Sequence, residues 1–127
     1  MSRILVIDDD PTVRSFISEI LEGRGHAVTV ASDGQAGMVL FRSTTFDLVV
    51  TDIVMPEQEG IATIGAMRRL NTTVPILAIS GSKTVGRYGD YLHAAKLTGA
   101  SAVMRKPLEP LPLMEMIDGL LITMRDG

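Results

Sequence analysis

Four short segments of the sequence end in side chains that could do chemistry together. Asp8 and Asp9 follow the apolar run "RILVI", and Asp52 follows "LVVT". Ser80 ends "PILAIS", and Lys106 follows "SAVMR". Three converging carboxylates would raise one another's pKa unless a cation lay among them, and Mg²⁺ prefers such oxygen ligands together with a phosphate oxygen. With a lysine and a hydroxyl added, the set fits phosphoryl transfer onto an Asp acting as covalent nucleophile.

Each of these residues also has a simpler interpretation. Asp8 and Asp9 are as well explained by capping of the following helix as by metal binding, and for Asp10 we favour capping. Ser80 alone would be an ordinary strand-end residue, and Lys106 alone would be a solvated surface lysine. Their joint placement at the ends of apolar runs is what favours the chemical interpretation.

The hydrophobic pattern predicts the elements that would position these residues. Short apolar, β-branched runs alternate with segments whose apolar residues recur at helical spacing, such as Val13, Phe16, Ile17, Ile20 and Leu21. Asp10 should cap that first helix, with Pro11 at its first position and Gly23 and Gly25 at its end. We predict strands at 3–7, 27–31, 48–52, 75–80 and 101–105, and helices from about 11 to 23, around 36–41, and at 61–70, 91–97 and 111–124.

Five strands alternating with five helices predict an α/β fold, because parallel strands need crossover connections that pack as helices on both faces of the sheet. The continuous run Leu48–Thr51 is typical of a strand buried on both faces. All strand carboxyl ends then point to one edge, where open α/β sheets bind ligands. Asp8, Asp9, Asp52, Ser80 and Lys106 should therefore meet in space.

The composition narrows the function classes. The chain of 127 residues suits one domain, and 12 Lys and Arg against 15 Asp and Glu give no electrostatic reason to expect nucleic acid as a partner. Without Cys there is no disulfide, thiolate or Cys-based zinc site. Neither a signal-peptide core nor the roughly 18 apolar residues of a membrane span occurs. We therefore expect a cytoplasmic protein with no membrane insertion.

Four motifs resemble those of response-regulator receiver domains, the phospho-accepting modules of two-component signalling. They are "ILVIDDDP", "VVTDIVMPEQEG" with Gly60, "PILAIS" and "GASAVMRKPL". The resemblance extends over essentially the whole length of the chain. The resemblance implies a flavodoxin-like, doubly wound five-stranded parallel sheet of order 2-1-3-4-5 with five helices. Because only "RDG" follows the last predicted helix, we expect a chemotaxis-type single-domain receiver over residues 1–127, with no output domain.

The resemblance implies a role for each site residue. Asp52 would be the phosphorylated residue, and Mg²⁺ would be held by Asp8, Asp9, Asp52 and the backbone carbonyl of Val54. Asp9 would be the direct ligand and Asp8 would act through water, so we expect Asp9→Asn to weaken Mg²⁺ binding while relieving buried charge repulsion.

Two further residues would act on the phosphoryl group. Lys106 would pair with the acyl phosphate, and Ser80 would hydrogen-bond a phosphoryl oxygen. The Lys106–Pro107 bond would be cis, as is usual in the family.

Two features depart from the family pattern. Val103 stands where a Tyr or Phe is typical, so the usual rotating aromatic switch has no counterpart. The segment between Ser80 and Lys106 is longer than usual, and the excess falls in "GSKTVGRYGDY". Its glycines predict that this loop and the helix after it absorb the switching change.

Several functions compete. The first is a receiver that takes phosphate from a histidine kinase or histidine phosphotransfer protein, then signals to a downstream protein target, with no enzymatic activity beyond Mg²⁺-dependent self-phosphorylation and autodephosphorylation. A pseudo-receiver would use the same fold as a phosphorylation-independent binding module. A haloacid-dehalogenase-type phosphatase would need an Asp at Val54, and a flavodoxin-type flavin binder would need a phosphate loop where three acids stand.

Overall fold

The computed structural model describes residues 2–53, 59–81 and 89–126. Five strands and five helices alternate along the chain, as the hydrophobic pattern predicts. In chain order they are β1 (Arg3–Ile7), α1 (Pro11–Gly23), β2 (Ala27–Ala31), α2 (Gly34–Ser43), β3 (Leu48–Asp52), α3 (Glu59–Leu70), β4 (Ile76–Ser80), α4 (Gly89–Thr98), β5 (Ala102–Arg105) and α5 (Pro110–Asp126).

The strands form one parallel sheet in the order β2-β1-β3-β4-β5, which confirms the predicted fold class and strand order. Every residue of β3 and β4 is buried, and so are the last four residues of β1. These strands are covered on both faces, which is why their sequences are continuous apolar runs instead of alternating ones. The edge strands β2 and β5 are only partly buried.

Two hydrophobic cores lie on opposite faces of the sheet. Ile4 and Val6 of β1 face one core, which is completed by α1 and α5, and Leu5 and Ile7 face the other, which is completed by α2, α3 and α4. This division follows from the period of two along a strand. The helix residues of the first core are Ile17, Leu21, Leu113, Ile117 and Leu121, and those of the second are Met38, Ile64, Met67 and Ala95.

The helix ends follow local capping chemistry. The Asp10 carboxylate accepts a hydrogen bond from Thr12 N, Pro11 occupies the first helical position, and Gly25 takes a positive φ of 89° after the helix. Helix α2 begins earlier than its apolar residues predict, because Asp33 accepts a hydrogen bond from Ala36 N at 2.7 Å and so caps the helix at Gly34. Helices α3, α4 and α5 each extend one to two residues beyond the predicted bounds.

Arg68 ties the end of α3 to the start of β5. Its guanidinium donates hydrogen bonds to the backbone oxygens of Val74 at 2.6 Å and Gly99 at 2.8 Å, with longer bonds to Asn71 O and Ser101 Oγ at 3.3 Å. Burial lowers the pKa of Arg68, but a guanidinium stays charged in a protein. These charge-assisted bonds to backbone carbonyls make the Arg68 side chain part of the tertiary structure.

We expect Arg68→Met to lower the free energy of unfolding by about 2–3 kcal/mol, because it leaves partly buried carbonyl oxygens without donors. Arg69→Met is the matched control, since Arg69 is the exposed next residue of the same helix. That variant should stay within about 0.5 kcal/mol of wild type. Urea unfolding followed by circular dichroism measures both, and equal losses in the two variants would contradict the structural role of Arg68.

Candidate functional site

The parallel register brings the four strand ends to one edge of the sheet. Ile7 of β1 is in register with Thr51 of β3, so Asp8 and Asp52 both follow paired positions. Asp52 is in register with Ile79, one residue before Ser80. Lys106 N donates a hydrogen bond to Ser80 O at 2.7 Å, which places the residue after β5 against the end of β4. The residues singled out from the sequence therefore share one site.

Three carboxylates form the centre of this site. One oxygen from each of Asp8, Asp9 and Asp52 lies within 4.8 Å of the others. Asp8 and Asp52 are only 1% and 3% exposed, whereas Asp9 is exposed. The expectation of buried like-charge repulsion at Asp9 is therefore not met. The buried carboxylates of the cluster are those of Asp8 and Asp52.

Lys106 bridges the two buried carboxylates. Its Nζ donates a hydrogen bond to Asp52 Oδ2 at 3.1 Å and lies 3.3 Å from Asp8 Oδ2. Burial by itself would lower the pKa of Lys106, but the charges of Asp52 and Asp8 outweigh it and raise that pKa. The Lys106–Pro107 bond is cis, as predicted.

Asp8 is the carboxylate of the cluster whose pKa is raised. Burial raises the pKa of Asp8 from its ordinary value of 3.8 to about 6; a hydrogen bond from Asp10 N lowers it, the charge of Asp52 raises it further, and Lys106 opposes that rise. Asp8 Oδ1 accepts the Asp10 bond at 2.9 Å. Among the described residues, the buried Oδ2 accepts no well-aligned hydrogen bond.

This donor set fits a hard divalent cation. Among the described residues, the buried Oδ2 of Asp8 accepts no well-aligned hydrogen bond, although Lys106 Nζ lies 3.3 Å away. Two more carboxylates lie beside it, and all three side chains offer oxygen atoms. A single lysine balances only part of the charge of three carboxylates. Val54, whose carbonyl the resemblance assigns to the metal, lies outside the described residues, and so does most of the 81–91 loop.

The sequence and the fold are similar to those of known proteins. The family model for the response regulator receiver domain matches residues 4–118. The chain belongs to this family. Receiver domains act in two-component signalling and bind Mg²⁺ at an acidic pocket, and this chain brings three carboxylates together, those of Asp8, Asp9 and Asp52.

Curated relatives differ in length. An uncharacterized 14.6 kDa protein of Leptolyngbya boryana is 34% identical over 116 residues, covering 90% of this chain and 86% of the relative. The transcriptional regulatory protein ZraR of Salmonella typhimurium is 33% identical over 123 residues, but this chain spans only 27% of its length.

Solved structures agree on the fold. A CheY-like receiver domain protein from Methanospirillum hungatei has a TM-score of 0.90 at 26% identity, covering 100% of this chain and 99% of the other. A receiver domain protein from Clostridium thermocellum has a TM-score of 0.88 at 26% identity, with 98% of each chain covered. Among the described residues of this receiver, no helix is both long and apolar enough to cross a bilayer. The cytoplasmic location stays a prediction.

Gly60 brings α3 against the end of β3, the strand that carries Asp52. A Cβ at this position would lie 2.2 Å from the backbone oxygen of Asp52 and 2.5 Å from the Cα of Ile53. Because both atoms belong to the backbone, they cannot move aside as a flexible side chain would. The sequence pointed to Gly60 only through the receiver motif, and the contact explains the need for glycine there.

Two further residues bear on the site. Val103, in place of the usual aromatic residue, is partly buried and packs against the core formed with α2, α3 and α4. Arg14 of α1 donates a hydrogen bond to the backbone oxygen of Asp8 at 2.7 Å. Nothing in the sequence pattern singled out Arg14, because its partner precedes the helix and lies outside the helical repeat.

Asp8→Asn should make the metal-free protein more stable at neutral pH. A carboxyl whose pKa is raised to about 6 on folding binds its proton more tightly in the folded state, so its stabilising effect is complete below 3.8 and is lost as the pH rises through 6. Asn does not titrate, so the Asp8→Asn variant does not lose stability in this way as the pH rises. With chelator present, we expect the stability difference between variant and wild type to grow by about 2 kcal/mol from pH 4 to pH 7. A difference independent of pH would contradict the raised pKa.

Lys106→Met should destabilise the metal-free protein by about 3 kcal/mol at pH 7, because two buried carboxylates lose the lysine that contacts both of them. Mg²⁺ should then recover more stability in this variant than in wild type, since it supplies the missing charge. Lys96→Met is the control, because Lys96 is exposed and its Nζ contacts only Ser101 O at 3.1 Å among the described residues. Thermal melts with and without Mg²⁺ test this; equal recovery in all three proteins would contradict it.

Proposed function

We propose that this receiver accepts a phosphoryl group on Asp52 in a Mg²⁺-dependent reaction and that the modification switches its contacts with other proteins. The observation that carries the proposal is the placement of Asp52. Its carboxylate is buried, lies 3.1 Å from a lysine ammonium and shares a site with two more carboxylates. Such a costly arrangement of charges is typical of a reactive site.

The proposed transfer step uses the groups around Asp52. An Asp52 carboxylate oxygen attacks the phosphorus of a phosphohistidine, an O–P bond forms, the N–P bond breaks, and the released imidazole nitrogen takes up a proton. Lys106 faces the oxygen Oδ2 of Asp52, so it is placed to pair with the added negative charge. Ser80, buried at the neighbouring strand end, is the proposed hydroxyl donor to a phosphoryl oxygen.

The reverse process completes the cycle. In autodephosphorylation, water attacks the phosphorus, the O–P bond to Asp52 breaks, and inorganic phosphate leaves with the carboxylate restored. No other protein group forms a covalent bond in this scheme. The receiver is therefore a substrate that assists its own modification, not an enzyme acting on other molecules.

The residues proposed to hold Mg²⁺ are Asp8, Asp9, Asp52 and the backbone carbonyl of Val54. When bound, the ion would neutralise the carboxylates and the charge that develops on the transferring group. Asp9 is the ligand reached from solvent, because its carboxylate is exposed while that of Asp8 is buried. We keep Asp9 as the direct ligand and Asp8 as the one that acts through water.

A pseudo-receiver that only binds partners is the alternative. The raised pKa of Asp8 argues against it, because a binding module gains nothing from a buried carboxylate that weakens the fold at neutral pH. A phosphatase of the haloacid-dehalogenase type is disfavoured for the reason given by the sequence: Val54 stands where that family needs its second Asp.

The proposed phosphodonor is a histidine kinase or histidine phosphotransfer protein, as the family implies. An apolar cavity of about 230 Å³ lies beside the site, lined by Thr12, Val13, Phe16, Lys106, Pro107 and Leu108. A donor protein that brings its phosphohistidine to Asp52 would cover this cavity. The output partner is proposed to be a protein, and the predicted change in residues 81–97 on phosphorylation stays a prediction.

Acetyl phosphate should add one phosphoryl group to wild type in the presence of Mg²⁺ and none to Asp52→Asn, because the amide is not a nucleophile. Asp118→Asn is the control, since Asp118 is a surface carboxylate on α5 that pairs with Arg24. It should be labelled like wild type. Intact-mass spectrometry, with and without chelator, measures all three proteins.

Two results would contradict the proposal. Labelling of Asp52→Asn at the wild-type level would place the modification elsewhere. Absence of any Mg²⁺-dependent labelling in wild type, with Mg²⁺ binding intact, would favour the pseudo-receiver.

A further inference from the structure

Arg14 reaches back from the first turn of α1 to the acidic loop that precedes it. Its Nη1 donates a hydrogen bond to the backbone oxygen of Asp8 at 2.7 Å, while its own N–H donates to Asp10 O at 3.0 Å. Among the described residues, Arg14 forms no ion pair with a carboxylate. The guanidinium is therefore directed at the backbone of the acidic loop and not at its charges.

The carbonyl that Arg14 contacts has a particular need for a donor. The ladder of β1 ends at Ile7, and the last bond to the neighbouring strand is from Asp8 N to Ala31 O at 3.2 Å. Asp8 is buried, so its carbonyl oxygen is largely shielded from water. A buried carbonyl without a donor is costly, and a short bond from a charged group satisfies it well.

The hydrogen bond also fixes the residue that follows. A peptide unit is planar, so holding the carbonyl of Asp8 also fixes the orientation of the amide and the Cα of Asp9. The Asp9 carboxylate is exposed and, within the described part of the chain, receives no hydrogen bond or ion pair. Its direction therefore depends on the backbone, which Arg14 holds at the carbonyl of Asp8 and Asp8 Oδ1 holds at the amide of Asp10.

We infer that Arg14 is a positioning residue for the metal pocket: by holding the Asp8–Asp9 peptide it aims the Asp9 carboxylate at the cluster with Asp8 and Asp52. This inference rests on the proposed Mg²⁺-dependent function. It assigns to an α1 side chain a role that acts through backbone geometry, with no contact between the guanidinium and the metal ligands' carboxylates.

Loss of the Arg14 charge and loss of its hydrogen bond should change Mg²⁺ affinity in opposite directions, which makes the inference testable. A fixed positive charge near a cation site weakens binding of Mg²⁺, so loss of the charge alone would tighten binding. Loss of the positioning hydrogen bond would weaken it. Changes in residues that orient metal ligands typically cost 10- to 100-fold in affinity.

Isothermal titration of Mg²⁺ into the purified protein tests whether the affinity rises or falls. We expect Arg14→Met to weaken Mg²⁺ binding by about tenfold, and Arg14→Lys, which keeps a charged donor, to recover part of the affinity. Arg42→Met is the control for loss of one positive charge, because Arg42 is exposed on α2. It should bind Mg²⁺ at least as tightly as wild type.

A double-mutant cycle identifies the ligand through which Arg14 acts. In an Asp9→Asn background, Arg14→Met should cause little further loss of Mg²⁺ affinity, because the side chain it aims is already impaired. Amide hydrogen exchange of Asp9 and Asp10 in the metal-free protein gives an independent readout. It should speed up in Arg14→Met and stay unchanged in Arg42→Met. If Arg14→Met does not fold, Arg14→Gln takes its place in each comparison.

The outcomes separate this inference from the proposed function. Equal or tighter Mg²⁺ binding by Arg14→Met, or a full tenfold loss that persists in the Asp9→Asn background, would overturn the positioning role and leave Asp52 phosphorylation standing. Failure of wild type to bind Mg²⁺ would overturn both.

Discussion

The repulsion among three carboxylates is the constraint on which the rest of this structure depends. Asp8 and Asp52 are buried side by side, and Lys106 is the one described cation in contact with both. A lysine carries its point charge on a flexible stem, so it can contact both carboxylates at once. The charges of Asp8 and Asp52 are thus partly balanced by Lys106.

The fold provides what such a site requires. Parallel strands place all their carboxyl ends at one edge, so residues from β1, β3, β4 and β5 meet although they are far apart in the sequence. The two cores hold the strands from both faces, and Gly60 lets α3 begin against the backbone of Asp52. A rigid scaffold is necessary because carboxylates free to move would simply separate.

The pocket has a cost for the stability of the fold. Burial raises the pKa of Asp8 to about 6, so keeping its charged form buried at neutral pH opposes folding. Elsewhere the chain compensates with well-satisfied polar contacts, such as the bonds of Arg68 to the backbone around Gly99 and Val74. Proteins commonly retain such local strain where chemistry needs it.

The sequence by itself determined the order of elements, the strand that carries Asp52, the caps at Asp10 and Pro11, and the set of residues at the sheet edge. These features depend on local periods of two and 3.6 and on capping within a few residues, so they can be read along the chain. Only the tertiary structure decided that Asp8 is buried while Asp9 is exposed. Both residues follow the last residue of β1, where the alternation of side chains between the two faces of a sheet no longer holds. The tertiary structure alone showed the hydrogen bonds from Arg14 to the carbonyl of Asp8 and from Arg68 to the carbonyl of Gly99, and the contact of Gly60 with the backbone of Asp52. Each of these depends on how elements pack against one another or on backbone that lies outside a regular helix or strand.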